Sequence, residues 1–303
     1  MIDIRQKILN VMMIGGMHKL ASQRKITVPI NYGGGNILVV ATGPSSNRFW
    51  GNESCRTGWE EKSYDICLVN DSFFKYKDIV FRLKPKFYCI MDSYYFDREC
   101  TTPDQIERFE SSRANREILN TVDWELNLIV PCTVSLEWLD NPKIKIIRLN
   151  SVAYNRDDLK SRFSYYKKNW MNPGRNNVVQ GALYFAITFG YKQIALLGGE
   201  FNFWKDVYLS KDRHVIQEVE HCYEANKVER IYDLDEDYGG RREGTMAVYL
   251  ACLSESFSIY SYIREYADMM GARIVNYSEG TMIEAFEIAE DLGNIDGKKE
   301  SDK

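Results

Sequence analysis

The chain has 303 residues, 45% of them apolar, and a formal net charge of −4. That is enough apolar material for a sizeable core in one or two domains, and it lacks the basic excess that nucleic-acid binding requires. The longest apolar runs fall well short of the roughly 18 residues of a membrane-spanning helix, the polar start Met1 to Ile8 is no secretory signal, and seven scattered cysteines without a Cys-x-x-Cys favour reduced thiols in a cytoplasmic protein over disulfides or a zinc site.

In chain order, residues 1–35 read as an N-terminal amphipathic helix and loop. Ile4, Ile8, Val11, Met12 and Leu20 recur at helical intervals, a face that suits packing on the body or on a second copy, with peripheral membrane contact as the other use. Asn36 to Val40 is a buried strand, followed by the turn Ala41-Thr42-Gly43-Pro44-Ser45-Ser46. Gly43 permits a sharp bend and close approach of a ligand, and Pro44 has no amide hydrogen to leave unsatisfied. The spacing is neither Gly-x-Gly-x-x-Gly nor the phosphate loop, so the turn points to a site without naming its ligand. Asp65 to Asn70 and Phe87 to Asp92 are further strands, Thr102 to Asn120 a helix, and Leu126 to Val130 and Ile144 to Leu149 strands again.

Arg156 to Arg175 reads as a solvated helix and loop. Asn177 to Gly190 is an apolar helix with Gly190 as its C-cap, leading into a strand, Gln193 to Leu197. Residues 201–244 lack regular apolar patterning and are expected to form a lid. Thr245 to Met270 is a long helix capped by Thr245, Arg273 to Asn276 a strand, Met282 to Leu292 a short helix, and 293–303 a frayed tail.

Strands alternating with helices imply an α/β, Rossmann-like, mainly parallel sheet with helices on both faces, here as a single nucleotide-binding catalytic domain over 36–292 with the lid at 201–244. In such sheets ligands bind at the carboxyl ends of the strands, where strand order reverses. Thr42 to Ser46, Asn70-Asp71, Asp92-Ser93 and Glu200 all follow expected strands, so together they describe a ligand rim.

Three segments carry a family resemblance: the Gly43-Pro44-Ser45 turn; Leu68 to Phe74, LVNDSFF; and Val179 to Phe201, VQGALYFAITFGYKQIALLGGEF. They resemble the small bacterial sialyltransferases that use CMP-sialic acid to decorate surface glycans such as lipopolysaccharide or capsule. They are also similar to a broader relative, the archaeal 6-hydroxymethylpterin diphosphokinase-like domain. The resemblance implies that Thr42, Gly43, Pro44 and Ser45 surround the nucleotide phosphate and sugar, with Asn70, Asp71 and Asp92 as nucleotide contacts. Gln180 and Gly181 would contact the cytidine part, Gln180 replacing a serine. Tyr208 would bind the departing phosphate, its partner tyrosine being replaced by Asn202, and Glu200 stands in for an aspartate.

Transfer from a CMP-sugar builds charge on the leaving phosphate, so donors must aim at it, and the attacking hydroxyl needs a base, for which histidine is suited. Of the three histidines, His18 falls in the N-terminal helix, while His214 and His221 lie in the expected lid. His221 is favoured over His214 because Arg213 would lower its neighbour's basicity; Glu200 is the reserve base. The expected function is therefore an inverting, metal-independent glycosyltransferase that moves an acidic sugar from a CMP-sugar to a surface-glycan acceptor, with no separate cofactor. The expected setting is the cytoplasm, at the inner face of the membrane, with self-association. The alternatives are a diphosphokinase-like pyrophosphoryl transferase using ATP and Mg²⁺, suited by Asp71, Asp92 and Glu200, and a non-catalytic nucleotide-binding domain. Asp233 to Asp237 contains an Asp-x-Asp, read here as a solvated acidic loop rather than a metal site.

Overall fold

The run Asn36-Ile-Leu-Val-Val40 forms β1, in which every residue from Ile37 on is buried. In an extended chain successive side chains point to opposite faces, so a continuous apolar run requires cover on both sides of the sheet. That cover is present. Ile37, Val39, Cys67, Val69, Phe87 and Ile194 pack in one core with Ala182, Phe185 and Tyr266. Leu38, Val40, Leu68, Tyr88 and Leu197 pack in a second core with Trp50, Trp59, Phe73 and Ile118. The computed structural model describes residues 34–96, 106–150, 152–153, 159–174, 176–230 and 245–289. The expected N-terminal helix with His18, the Asp-x-Asp of 233–237 and the tail 293–303 lie outside these residues.

The elements after β1 are α1 (Asn47–Gly51), α2 (Glu53–Glu61), β2 (Tyr64–Val69), α3 (Ser72–Lys75), α4 (Lys77–Leu83), β3 (Phe87–Cys89), α5 (Ile106–Thr121), β4 (Leu126–Pro131) and β5 (Ile144–Leu149). Then come α6 (Leu159–Lys167), α7 (Val178–Phe189) and β6 (Gln193–Leu197). The chain continues through β7 (Val207–Leu209), β8 (Val215–His221), β9 (Glu224–Arg230), α8 (Met246–Met270), β10 (Arg273–Asn276) and β11 (Glu287–Ile288). An eight-stranded sheet runs in the order β11-β10-β6-β1-β2-β3-β4-β5, with parallel pairing throughout. The fold is the Rossmann-like α/β architecture that the alternation implies.

Local chemistry fixes the helix that matters most for the site. Asn177 caps α7 by accepting the Gln180 N–H, and Gly190 closes it in the left-handed region at φ 109°. From Gln180 to Phe189 every residue of α7 is buried, as expected of a helix apolar all round. Thr245 caps α8 in the same way, accepting from the Val248 N–H.

Three expectations are corrected. Met282 to Leu292 is not a helix among its described residues, up to 289: Ile283, Ala285 and Phe286 are buried and Glu287–Ile288 pairs with β10. A short apolar run does not distinguish helix from strand by periodicity; here the free sheet edge and the Arg273–Glu287 ion pair select the strand. The lid is not irregular over 201–230, where β7, β8 and β9 form a three-stranded antiparallel meander. The Arg156 to Arg175 stretch is not simply solvated: Arg162 on α6 is 3% exposed, held 2.5 Å from Glu265 of α8.

Candidate functional site

β1 is flanked by β2 on one side and by β6 on the other. Strand order therefore reverses between β1 and β6, and the crevice beyond their carboxyl ends is where α/β sheets bind ligands. Two glycine-bearing turns meet there. The Ala41 N–H donates to the Leu197 carbonyl at 2.7 Å and the Gly43 N–H to the Gly198 carbonyl at 3.0 Å, extending the β1–β6 pairing past the strand ends. Gly198 has φ +79°, and a Cβ there would lie 2.6 Å from the Ala41 carbonyl oxygen. Only glycine fits so close an approach in that conformation.

The crevice holds a pocket of about 260 Å³, whose lining includes Thr42, Gly43, Pro44, Asn70, Asp92, Glu200 and His221. Residues from five separate expected elements thus share one cavity. Glu200, 5% exposed, accepts the Ser45 backbone N–H at 2.7 Å; burial raises its carboxyl above the usual range, against the lowering effect of the Ser45 hydrogen bonds and of Arg48. Asn70 is left-handed at φ 43°, a conformation asparagine tolerates, and its Nδ2 donates to Asp92 Oδ2 at 2.9 Å. Its Oδ1 is buried without a hydrogen-bond partner, an acceptor that a ligand donor would satisfy.

The third wall is the N-terminus of α7. Asn176, Asn177 and Tyr260 line the pocket, and Asn177 Nδ2 donates to the Tyr260 hydroxyl at 3.1 Å. A helix of 12 residues presents the positive end of its dipole at this point. In the sequence Asn177 marks only the start of a helix; the structure puts it at the rim.

The meander reaches the pocket through the end of β8, with Glu220 and His221 in its lining. Its β8–β9 turn brings the Cys222 N–H to the Thr42 carbonyl at 2.8 Å, while the Tyr76 hydroxyl donates to the Cys222 carbonyl at 2.8 Å. His221 stacks on Tyr223 with ring centroids 5.2 Å apart and lines the pocket. Burial is the main cause that pushes the Cys222 thiol up, so it is held as a neutral group beside the turn.

Other expected site residues are placed elsewhere. Gln180 is fully buried; its Oε1 accepts the Asn176 N–H at 2.7 Å and its Nε2 donates to the Ser256 carbonyl at 3.0 Å. It braces the start of α7 against α8 and does not line the pocket. Gly181 faces Met91, whose Cγ would lie 2.7 Å from an added Cβ, so this glycine serves packing. Asp71 accepts from the Tyr95 hydroxyl and, at 3.4 Å, from that of Tyr223; it steadies the lid turn rather than lining the cavity. Tyr208, on β7 and 44% exposed, and His214, whose N–H donates to Ser210 Oγ at 3.1 Å, do not line the pocket either. Ser45 does not line the pocket and holds Glu200 through its backbone N–H.

Gly181→Ala is therefore expected to lower stability by about 1–2 kcal/mol through overpacking against Met91, seen as a lower urea midpoint, while nucleotide affinity stays within about twofold of the parent. A loss of nucleotide binding greater than the loss of stability would return Gly181 to the site.

Among the described residues no helix is long and apolar enough to cross a membrane, and no group of three or more His, Cys, Asp or Glu is arranged to hold a metal ion. No protein-family model matches the chain, and no curated protein matches it. Among solved structures, one from Anabaena variabilis described as a sugar phosphate isomerase/epimerase aligns at 8% identity and a TM-score of 0.16, over 80% of this chain and 53% of that one. The chain thus spans about half the length of that structure, and a likeness of this strength carries no argument.

Proposed function

We propose that the chain is a sialyltransferase-like glycosyltransferase, inverting and metal-independent, that transfers an acidic sugar from a CMP-activated donor to a hydroxyl of a surface-glycan acceptor. The observation that carries this reading is the pocket at the β1–β6 reversal, where a glycine turn, a helix N-terminus and a lid histidine face one cavity. The leaving phosphate would lie in the Gly43–Ser45 turn, facing the N-terminus of α7 across the same cavity, where developing negative charge gains most from fixed dipoles. His221, from the lid side, would take the proton of the acceptor hydroxyl as that oxygen attacks the anomeric carbon. The bond from that carbon to the phosphate breaks on the opposite face, so the configuration inverts and CMP departs. Thr42 and Asn70 would hold the nucleotide, and the lid would keep water from competing for the sugar. Action at the inner face of the membrane, on a glycan acceptor and as a self-associated assembly, belongs to the same proposal.

The diphosphokinase-like alternative draws on Asp92 and Glu200, carboxylates in the same pocket. A thermal-shift comparison of CMP, CDP, UDP, GDP and ATP, each with and without Mg²⁺, separates the two. Stabilisation by CMP without Mg²⁺ is the expected result; binding at about 100 times Kd adds about 2.7 kcal/mol and raises the midpoint accordingly. Stabilisation by ATP only in the presence of Mg²⁺ would overturn the transferase reading in favour of the kinase one.

A further inference from the structure

The pocket contains its own anion. Glu200 reaches across from the end of β6 and seats its carboxylate in the bend that follows β1. Oε1 accepts the Ser45 N–H at 2.7 Å, and Oε2 occupies the notch over Gly43, 1.6 Å from where a Cβ would stand. A glycine turn with inward amides offers that space and those donors to a ligand oxygen. Here both are taken by a side chain from the same chain, one that is almost wholly buried. We propose that the Glu200 carboxylate is a built-in competitor of anionic ligands, so that a phosphate group engages the Gly43–Ser45 turn only once this carboxylate has been neutralised or turned aside. The inference rests on reading the pocket as a nucleotide site, and it moves Glu200 from reserve base to the residue that sets how strongly phosphate binds.

The surroundings favour such a role over a permanent structural bond. Asp92 and Glu220 line the same pocket, so an arriving phosphate adds a further negative charge to a site already rich in them. Arg48 from α1 is the cation that acts on Glu200, while Cys222 at the lid turn is coupled to it, and His221 and Tyr260 complete the groups facing the cavity. Burial raises the Glu200 carboxyl above its usual range, so the neutral form is reached at milder acidity than for a free glutamate. Protonation removes the charge that repels phosphate, and the sign follows: affinity for phosphate-bearing ligands rises as pH falls through the Glu200 titration and falls as pH rises through it.

The test is calorimetric titration of the full chain with CMP and, separately, with inorganic phosphate, between about pH 5.5 and about pH 7.5. It uses the parent, Glu200→Gln and Glu200→Asp. The difference between the parent and Glu200→Gln profiles reports the effect of the Glu200 charge. The expected result is that the parent loses more affinity with rising pH than Glu200→Gln does. Glu200→Asp, whose arm is one methylene shorter and draws the charge out of the notch, binds more tightly than the parent at the upper end. One shared profile for parent and Glu200→Gln, or weaker binding by Glu200→Asp, overturns the proposal. If phosphate follows the expected pattern while CMP binds none of the proteins, the competitor role stands and the nucleotide reading falls. If CMP binds all three with one profile, the nucleotide reading stands and the competitor role falls.

Discussion

Gly198→Ala is expected to destabilise the fold by about 3 kcal/mol or more, because it combines backbone strain with a collision that cannot be relieved by a side-chain rotation. At φ +79° an L-residue is already disfavoured, and the added methyl would sit 2.6 Å from the Ala41 carbonyl oxygen, 2.9 Å from its carbonyl carbon and 2.9 Å from Ser46 Cβ. Two of those atoms are backbone of the turn that β1 feeds, so the response must be a separation of the β1 and β6 ends. The Gly43 N–H to Gly198 carbonyl bond would go with it. Chemical denaturation should show the midpoint falling, with the pocket lost in whatever fraction remains folded. A variant that unfolds at the parent's midpoint would mean that the two turns do not meet as described.

The second large effect concerns chemistry. His221→Gln is expected to lower kcat by about 10²–10⁴-fold, the usual contribution of a positioned general base, while CMP affinity remains within about twofold because the substitution keeps size and hydrogen-bonding capacity. His214→Gln, altering a side chain outside the pocket, should leave kcat unchanged. The comparison is made by steady-state kinetics with donor in excess alongside direct CMP titration. Equal kcat for His221→Gln and the parent would remove the base from its proposed post. A parallel loss of kcat and CMP affinity would instead mark the histidine as a binding residue.

The centre of the sheet was legible because its strands are short apolar runs that need burial on both faces, and Asn36–Val40 and Gln193–Leu197 have the bounds their composition implies. The rim was legible for the same reason: in a parallel sheet all strand ends lie on one side, so Thr42, Asn70, Asp92 and Glu200 had to come together once the strands were found. The meander was not legible, since β8 reads Val-Ile-Gln-Glu-Val-Glu-His, with charges interrupting the alternation. The strand β11 was missed because two residues with a neighbour at the sheet edge leave no periodic signal. Gln180 and Gly181 were misplaced on the strength of a motif. Being next to a helix N-terminus in sequence does not decide which way a side chain points, and in a helix buried all round both faces are core. Tyr208 was a matter of spacing from Glu200, and the intervening 3-10 turn Phe203–Asp206 leads it onto β7, outside the pocket lining.

The way the meander is fastened has a consequence for traffic through the site. Its turn is moored to the parallel sheet by the Cys222 amide on the Thr42 carbonyl and by the Tyr76 hydroxyl on the Cys222 carbonyl. Both bonds involve the cysteine backbone and neither depends on which side chain that residue carries. Together they are worth about 1–3 kcal/mol net, and the Tyr223 hydroxyl on Asp71 adds a longer third tie at 3.4 Å. A donor too bulky for the enclosed volume could therefore be admitted and its product released by unmooring this one turn, while all eight parallel strands keep their register.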